Sequence, residues 1–90
     1  MQKERDDFIM NGDFEKRMGQ RIHMLREKNN LTQEQLSAKL QLRSCDITRS
    51  ALAKIEVGQR HIYPDELFHL KHIFQVSYDE LFPDTRETEE

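Results

Sequence analysis

Helix starts are written into this chain at four places, and no run of β-branched residues competes with them. Thr32 stands three residues before Gln35. That pair makes a capping box: the threonine oxygen accepts from the N3 amide and the glutamine reaches back to the cap amide. Leu31 and Leu36 occupy the positions of a hydrophobic staple. Thr48 is a second N-cap, with Ile47 and Leu52 as its staple. Pro64 suits the first position of another helix, where Asp65 and Glu66 favour the positive end of its dipole. Ser77 and Glu80 form a second capping box, with Val76 and Leu81 as staple. With three Gly and two Pro in the whole chain, an all-α fold is predicted.

A longer helix precedes these. Phe14, Met18, Ile22 and Leu25 recur at helical spacing. Asn11 or Asp13 can cap it, Gly12 separates it from anything earlier, and Asn29-Asn30 ends it. The five helices are expected at 14–28, 33–40, 49–57, 65–74 and 78–82. Ninety residues suit one domain. Residues 1–13 read as an N-terminal arm or short helix, 14–83 as a compact five-helix bundle, and 84–90 as a disordered acidic tail.

The formal net charge of −3 argues against a polyanion partner until its distribution is examined. Residues 16–63 hold ten Lys/Arg against four Asp/Glu, a balance of +6. Residues 1–15 carry −3, and residues 64–90 carry −6. Phosphate contact is local, so a basic middle between acidic ends remains compatible with nucleic acid.

The third helix supplies the face. At about 100° per residue, Ala51, Leu52 and Ile55 share one side, which is the core side. Arg49, Ser50, Ala53, Lys54 and Val57 share the other, which carries two cations, a hydroxyl and no acid. A solvated face ordinarily mixes in Asp or Glu; an acid-free one with small residues between its cations suits close approach to DNA. Arg can bond guanine bidentately in the major groove, Lys can reach a base edge or phosphate, and Ser is adaptable. Gly58 follows at C′, where a left-handed residue is wanted. Gln59, Arg60 and His61 then form an extended segment placed to grip a phosphate strand. Thr48 at the start of this helix, and Gln33 at the first position of the second, are further phosphate candidates, since helix N-termini attract anions.

Residues 17–82 resemble the Cro/C1-type (XRE) helix-turn-helix domain. The resemblance rests on Gly19-Gln20-Arg21-Ile22, Leu25-Arg26-Glu27 and Leu31-Thr32-Gln33-Glu34-Gln35-Leu36. It continues through Leu52-Ala53-Lys54-Ile55-Glu56-Val57-Gly58-Gln59-Arg60 and closes with Val76-Ser77-Tyr78-Asp79-Glu80-Leu81-Phe82. It implies a five-helix repressor-like fold, a phosphate contact at Gln33, and base-facing roles for Arg49, Ser50, Ala53 and Lys54. It also implies a partly buried ion pair of Arg26 with Glu56. One stretch departs from the compact family turn. Gln41-Leu42-Arg43-Ser44-Cys45-Asp46-Ile47 intervenes before Thr48, similar to a longer-turn subset, and adds Arg43 and Ser44 as candidate DNA contacts.

The resulting expectation is a sequence-specific double-stranded DNA-binding regulator, a repressor, acting as a homodimer. One short helix reads few base pairs, and pairing on half-sites roughly 34–36 Å apart remedies this. Two rivals stand beside it: an antitoxin that also binds a toxin, and a protein-interaction module that has lost DNA binding. No Gly-rich phosphate loop or nucleophile motif supports an enzyme, and no cofactor is called for. His69 and His72, three apart, lack further ligands at metal spacing and read as a solvated face. Cys45 reads as a plain loop thiol, and Phe68 either completes the core or faces a partner. Met1 to Asp7 lack a signal-peptide stretch, no segment reaches membrane-span length, and a lone cysteine makes no internal disulfide. A cytoplasmic location and no membrane partner are expected.

Overall fold

Five helices follow one another in the order the capping signals set, α1 (Gln2–Lys28), α2 (Gln33–Leu42), α3 (Arg49–Glu56), α4 (Pro64–Phe74) and α5 (Tyr78–Leu81). The computed structural model describes the backbone of residues 2–83 and the side chains of residues 13–83. The tail at 84–90 lies outside the described residues. No strand occurs among the described residues.

The caps form as their chemistry requires. The Thr32 oxygen accepts from the Gln35 amide at 3.0 Å, while the Gln35 side chain accepts from the Thr32 amide at 2.9 Å. Ser77 and Glu80 repeat this at 3.2 and 3.0 Å. Thr48 caps α3 by accepting from the Ala51 amide at 3.1 Å. Tyr63 precedes α4 and gives no side-chain cap, so Glu66 alone accepts from the Tyr63 amide at 2.9 Å.

The start of α1 corrects the sequence expectation. The helix does not stop at Gly12 but runs through it to Gln2, so the point between arm and domain lies inside a continuous helix. A glycine in a helix interior costs about 1 kcal/mol relative to alanine, which a long run of good helix formers can absorb. The second helix also exceeds its expected end at Leu40 and reaches Leu42.

The core is drawn from every helix. Met18, Ile22 and Leu25 of α1 meet Leu36 and Leu40 of α2, Leu52 and Ile55 of α3, Leu70 and Phe74 of α4, and Leu81 of α5. Each fully buried Leu or Ile contributes about 1.5–3 kcal/mol. Phe14 lies across from Phe82, ring centroids 6.3 Å apart, and closes the core at the chain's C-terminal side. Phe68 does not complete the core; it is exposed on α4 against His69 and His72. At one point α1 and α3 meet through backbone. A Cβ on buried Gly19 would collide with the Ile55 carbonyl oxygen and lie 2.8 Å from that of Glu56.

Candidate nucleic-acid interface

The long turn between α2 and α3 is a packed structure. Ser44 takes the left-handed conformation at φ 62°. This lets the Ser44 amide donate to Gln41 and the Cys45 amide to Leu40, which closes the helix end. Cys45 and Ile47 then point into the core, 5% and 0% exposed, while Asp46 between them faces solvent. The buried Ser37 hydroxyl donates to the Ile47 carbonyl at 2.6 Å. Cys45 is therefore a loop thiol as expected, but a buried one. Burial pushes it up from the usual thiol value, with Glu66 and Asp65 adding to the effect. The inserted residues fix where α3 begins, because the residue before its N-cap is locked in the core.

From that start, Arg49, Ser50 and Lys54 are exposed, Ala53 is half-buried, and Val57 is exposed at the C-cap. Arg49 and Lys54 have no hydrogen-bond or ion-pair partner for their side chains among the described residues. The face has no carboxylate of its own. Thr48 is exposed, and its hydroxyl can still donate while its oxygen serves as the cap.

Glu56, the last residue of α3, gathers three helices. Arg26 meets it bidentately, with Nε donating to Oε2 at 2.7 Å and Nη2 to Oε1 at 3.0 Å. Both residues are buried, and Arg26 Nη1 also donates to the Leu31 carbonyl at 2.8 Å. Gln33, first residue of α2, donates from Nε2 to Oε1 at 3.1 Å, and His23 Nδ1 lies 2.9 Å from the same oxygen. Burial pushes the Glu56 carboxyl up, but hydrogen bonds from Arg26, His23 and Gln33 outweigh it and hold the group below the ordinary carboxylate value. The bond to Glu56 in turn raises Arg26 against its own desolvation. Gln33 is thus pinned at the C-terminal end of α3, with its second amide hydrogen available to a ligand.

Beyond α3 the chain turns at Gly58, φ 81°. Its amide donates to Ile55, and the Gln59 amide donates to Lys54. A Cβ at Gly58 would stand 2.8 Å from Lys16 Cα, so the left-handed turn is also a close approach to α1. The Gln59 side chain is exposed, but its amide is used in ending the helix. Arg60 turns to α4, donating from Nη1 and Nη2 to the two oxygens of Glu66 at 3.1 Å each. That bond raises the Arg60 guanidinium above its ordinary value. His61 pairs with Glu15 of α1. On the other side, Arg43 donates from Nε to His69 Nδ1 of α4 at 3.0 Å, and Ser44 is exposed. The structure thus gathers Arg49, Ser50, Ala53 and Lys54 on one open surface with Gln33 at its end. It engages Arg43, Arg60 and His61 with neighbouring helices.

The family described as "Helix-turn-helix domain" matches residues 19–85. The chain belongs to this family, in its Cro/C1 (XRE) type. The matched span contains α2 and α3, with the turn at 43–48 between them. Among solved structures, the chain is similar to one titled "Crystal structure of the DNA-binding domain of BldD". Identity is 18% and the TM-score 0.67, covering 80% of this chain and 97% of that one. This likeness concerns the fold. No curated protein matches the chain significantly.

Two functional neighbours escape the sequence reading. His23 joins the Glu56 cluster, and a signal for it exists: it precedes Arg26 by three residues and so shares its helix face. Glu66 reads from sequence as a dipole partner, yet it also holds Arg60; nothing local in the sequence announces that bond.

Proposed function

We propose that this protein is a sequence-specific double-stranded DNA-binding transcriptional regulator, a repressor that acts as a homodimer and reads the major groove with α3. The observation that carries this reading is the outward face of α3, where Arg49 and Lys54 stand exposed and unpartnered beside small residues. Membership in the helix-turn-helix family and a fold like that of the DNA-binding domain of BldD support it. Arg49, Ser50, Ala53 and Lys54 face base edges. Gln33 and Thr48 take phosphate at the two ends of α3, and Gln59 extends that contact. Arg60, His61 and Arg43 offer phosphate the donors that their bonds to Glu66, Glu15 and His69 leave unused: Arg60 Nε, His61 Nε2 and the two Nη groups of Arg43. Ser44 lies exposed at the turn. No helix among the described residues is long and apolar enough to cross a membrane.

Selection from a randomised duplex pool tests the proposal. The expected outcome is an enriched motif in two half-sites, with affinity falling linearly in log K against log salt. Arg49→Ala should lose about 1–3 kcal/mol on that motif and relax one base pair. A pool that emerges without enrichment, or an affinity that ignores salt, refutes it.

A further inference from the structure

Three donor atoms converge on a single oxygen of Glu56. Oε1 lies 3.0 Å from Arg26 Nη2, 2.9 Å from His23 Nδ1 and 3.1 Å from Gln33 Nε2. A carboxylate oxygen offers two lone-pair sites. His23 Nδ1 also lies 3.0 Å from Arg26 Nη2. A guanidinium only donates, so that contact is a bond when Nδ1 is bare. The contact to Oε1 is a bond when Nδ1 carries a proton. One nitrogen cannot do both.

The cluster therefore has two arrangements. In the neutral ring the proton sits on Nε2, facing Glu27 Oε2 at 3.3 Å, so Nδ1 is bare and accepts from Arg26, while Arg26 and Gln33 fill the two sites of Oε1. With the ring protonated, Nδ1 donates to Oε1 and Nε2 faces Glu27 Oε2 at 3.3 Å. Three donors then compete for two sites. Gln33 is the neutral one, and charge-assisted bonds are stronger, so its amide is released. His23 is exposed enough to exchange protons with solvent.

We propose that His23 is a further residue of the phosphate-binding site, and that its protonation strengthens DNA binding by placing a positive charge beside Gln33 and freeing the Gln33 amide for phosphate. The inference rests on the DNA-binding reading above. His23 Nδ1 and Gln33 Nε2 share one acceptor, so they lie at most about 6 Å apart. That is inside the Debye length of about 8 Å at physiological ionic strength. The charged groups facing the ring are Arg26 and Glu27 from α1 and Glu56 from α3, while α2 presents the neutral Gln33. A phosphate seated on Gln33 adds negative charge and favours the imidazolium, so binding takes up a proton.

Phosphate contact does not depend on sequence, so a mixed-sequence duplex at low salt is a sufficient probe. Wild-type affinity should rise about three- to tenfold from pH 8 to pH 6, tenfold being the limit for a proton whose pKa shifts by one unit on binding. His23→Gln should show a smaller rise, read as the ratio of its own affinities at pH 6 and pH 8, whatever its affinity at either pH. The other histidines are common to both proteins, so the difference between the two isolates His23. Melting curves establish that the variant is folded; if it is not, His23→Asn replaces it. Calorimetry of the wild type in two buffers of different ionisation enthalpy gives the proton uptake without any variant. Equal pH profiles, or no proton uptake between pH 8 and pH 6, overturn the role of His23 and leave DNA binding intact. No binding at any pH overturns the DNA reading and this inference together.

Discussion

Replacing Glu56 by alanine strands a guanidinium in the interior. Arg26 is 8% exposed and loses both of its hydrogen bonds to Glu56, keeping the one to the Leu31 carbonyl and, where His23 Nδ1 is bare, the one to that ring. Breaking a buried pair from one side costs about 3–5 kcal/mol, because the surviving charge stays desolvated. The remaining bond to Leu31 keeps the expected loss near the lower end, about 3 kcal/mol. His23 and Gln33 add little, since both can turn to water. A domain of this size is stable by about 5–13 kcal/mol, so the loss is a large share of the total. At about 4–8 °C per kcal/mol, the melting midpoint should drop by roughly 12–24 °C. Urea unfolding followed by circular dichroism gives the free energy directly. The double replacement Arg26→Met with Glu56→Leu provides the contrast. It removes both charges and should lie much closer to wild type than Glu56→Ala. If Glu56→Ala costs under about 1 kcal/mol, or the double variant is the less stable of the two, the buried-pair argument fails.

Three further outcomes follow from the geometry. Gly19→Ala should destabilise by about 2 kcal/mol or more, since α1 and α3 must separate against the Ile55 and Glu56 carbonyls and the helix-propensity gain of about 1 kcal/mol does not compensate; a more stable variant in urea would falsify the close approach. The Glu56 carboxyl is held below its ordinary value, so its contribution is present above the usual carboxylate range and is lost as pH falls through the lowered value; the gap in urea midpoint between wild type and Glu56→Gln should not narrow from pH 7 down to that range and should close only below it. Arg60→Ala should cost about 1–2 kcal/mol of stability with no DNA present, because Glu66 is left nearly buried with the Tyr63 amide as its remaining bond; an unchanged midpoint would mean the Arg60–Glu66 pair is loose in solution.

The helix starts were legible because each depends on residues within four positions of one another, as at Thr32–Gln35 and Ser77–Glu80. Helix ends were less so. Asn30, Ser44 and Gln75 all take positive φ without being glycine, and only Gly58 advertises its turn. The second helix therefore outran its expected end. On the site, the α3 face could be read from a wheel because it is local. The commitments of Arg60 to Glu66 and of His61 to Glu15 could not, because the second joins residues far apart in the chain and the first needs the turn at Gly58 to bring α4 near. The same limit hid His23 and Gln33 behind Glu56, where one carboxylate is shared by α1, α2 and α3.

The turn before α3 has a parity. Cys45 inward, Asp46 outward and Ile47 inward is an alternation made by a three-residue turn, in which the Ile47 amide donates to the Cys45 carbonyl at 2.9 Å. A deletion or insertion of one residue there would trade Asp46 for Ile47 at the core and push Thr48 off its capping position. A chain with a turn of another length must rebuild the contact that Ser37 makes with the Ile47 carbonyl. An apolar–polar–apolar triplet just ahead of a Thr or Ser cap is the pattern by which such chains can be aligned when overall identity is low.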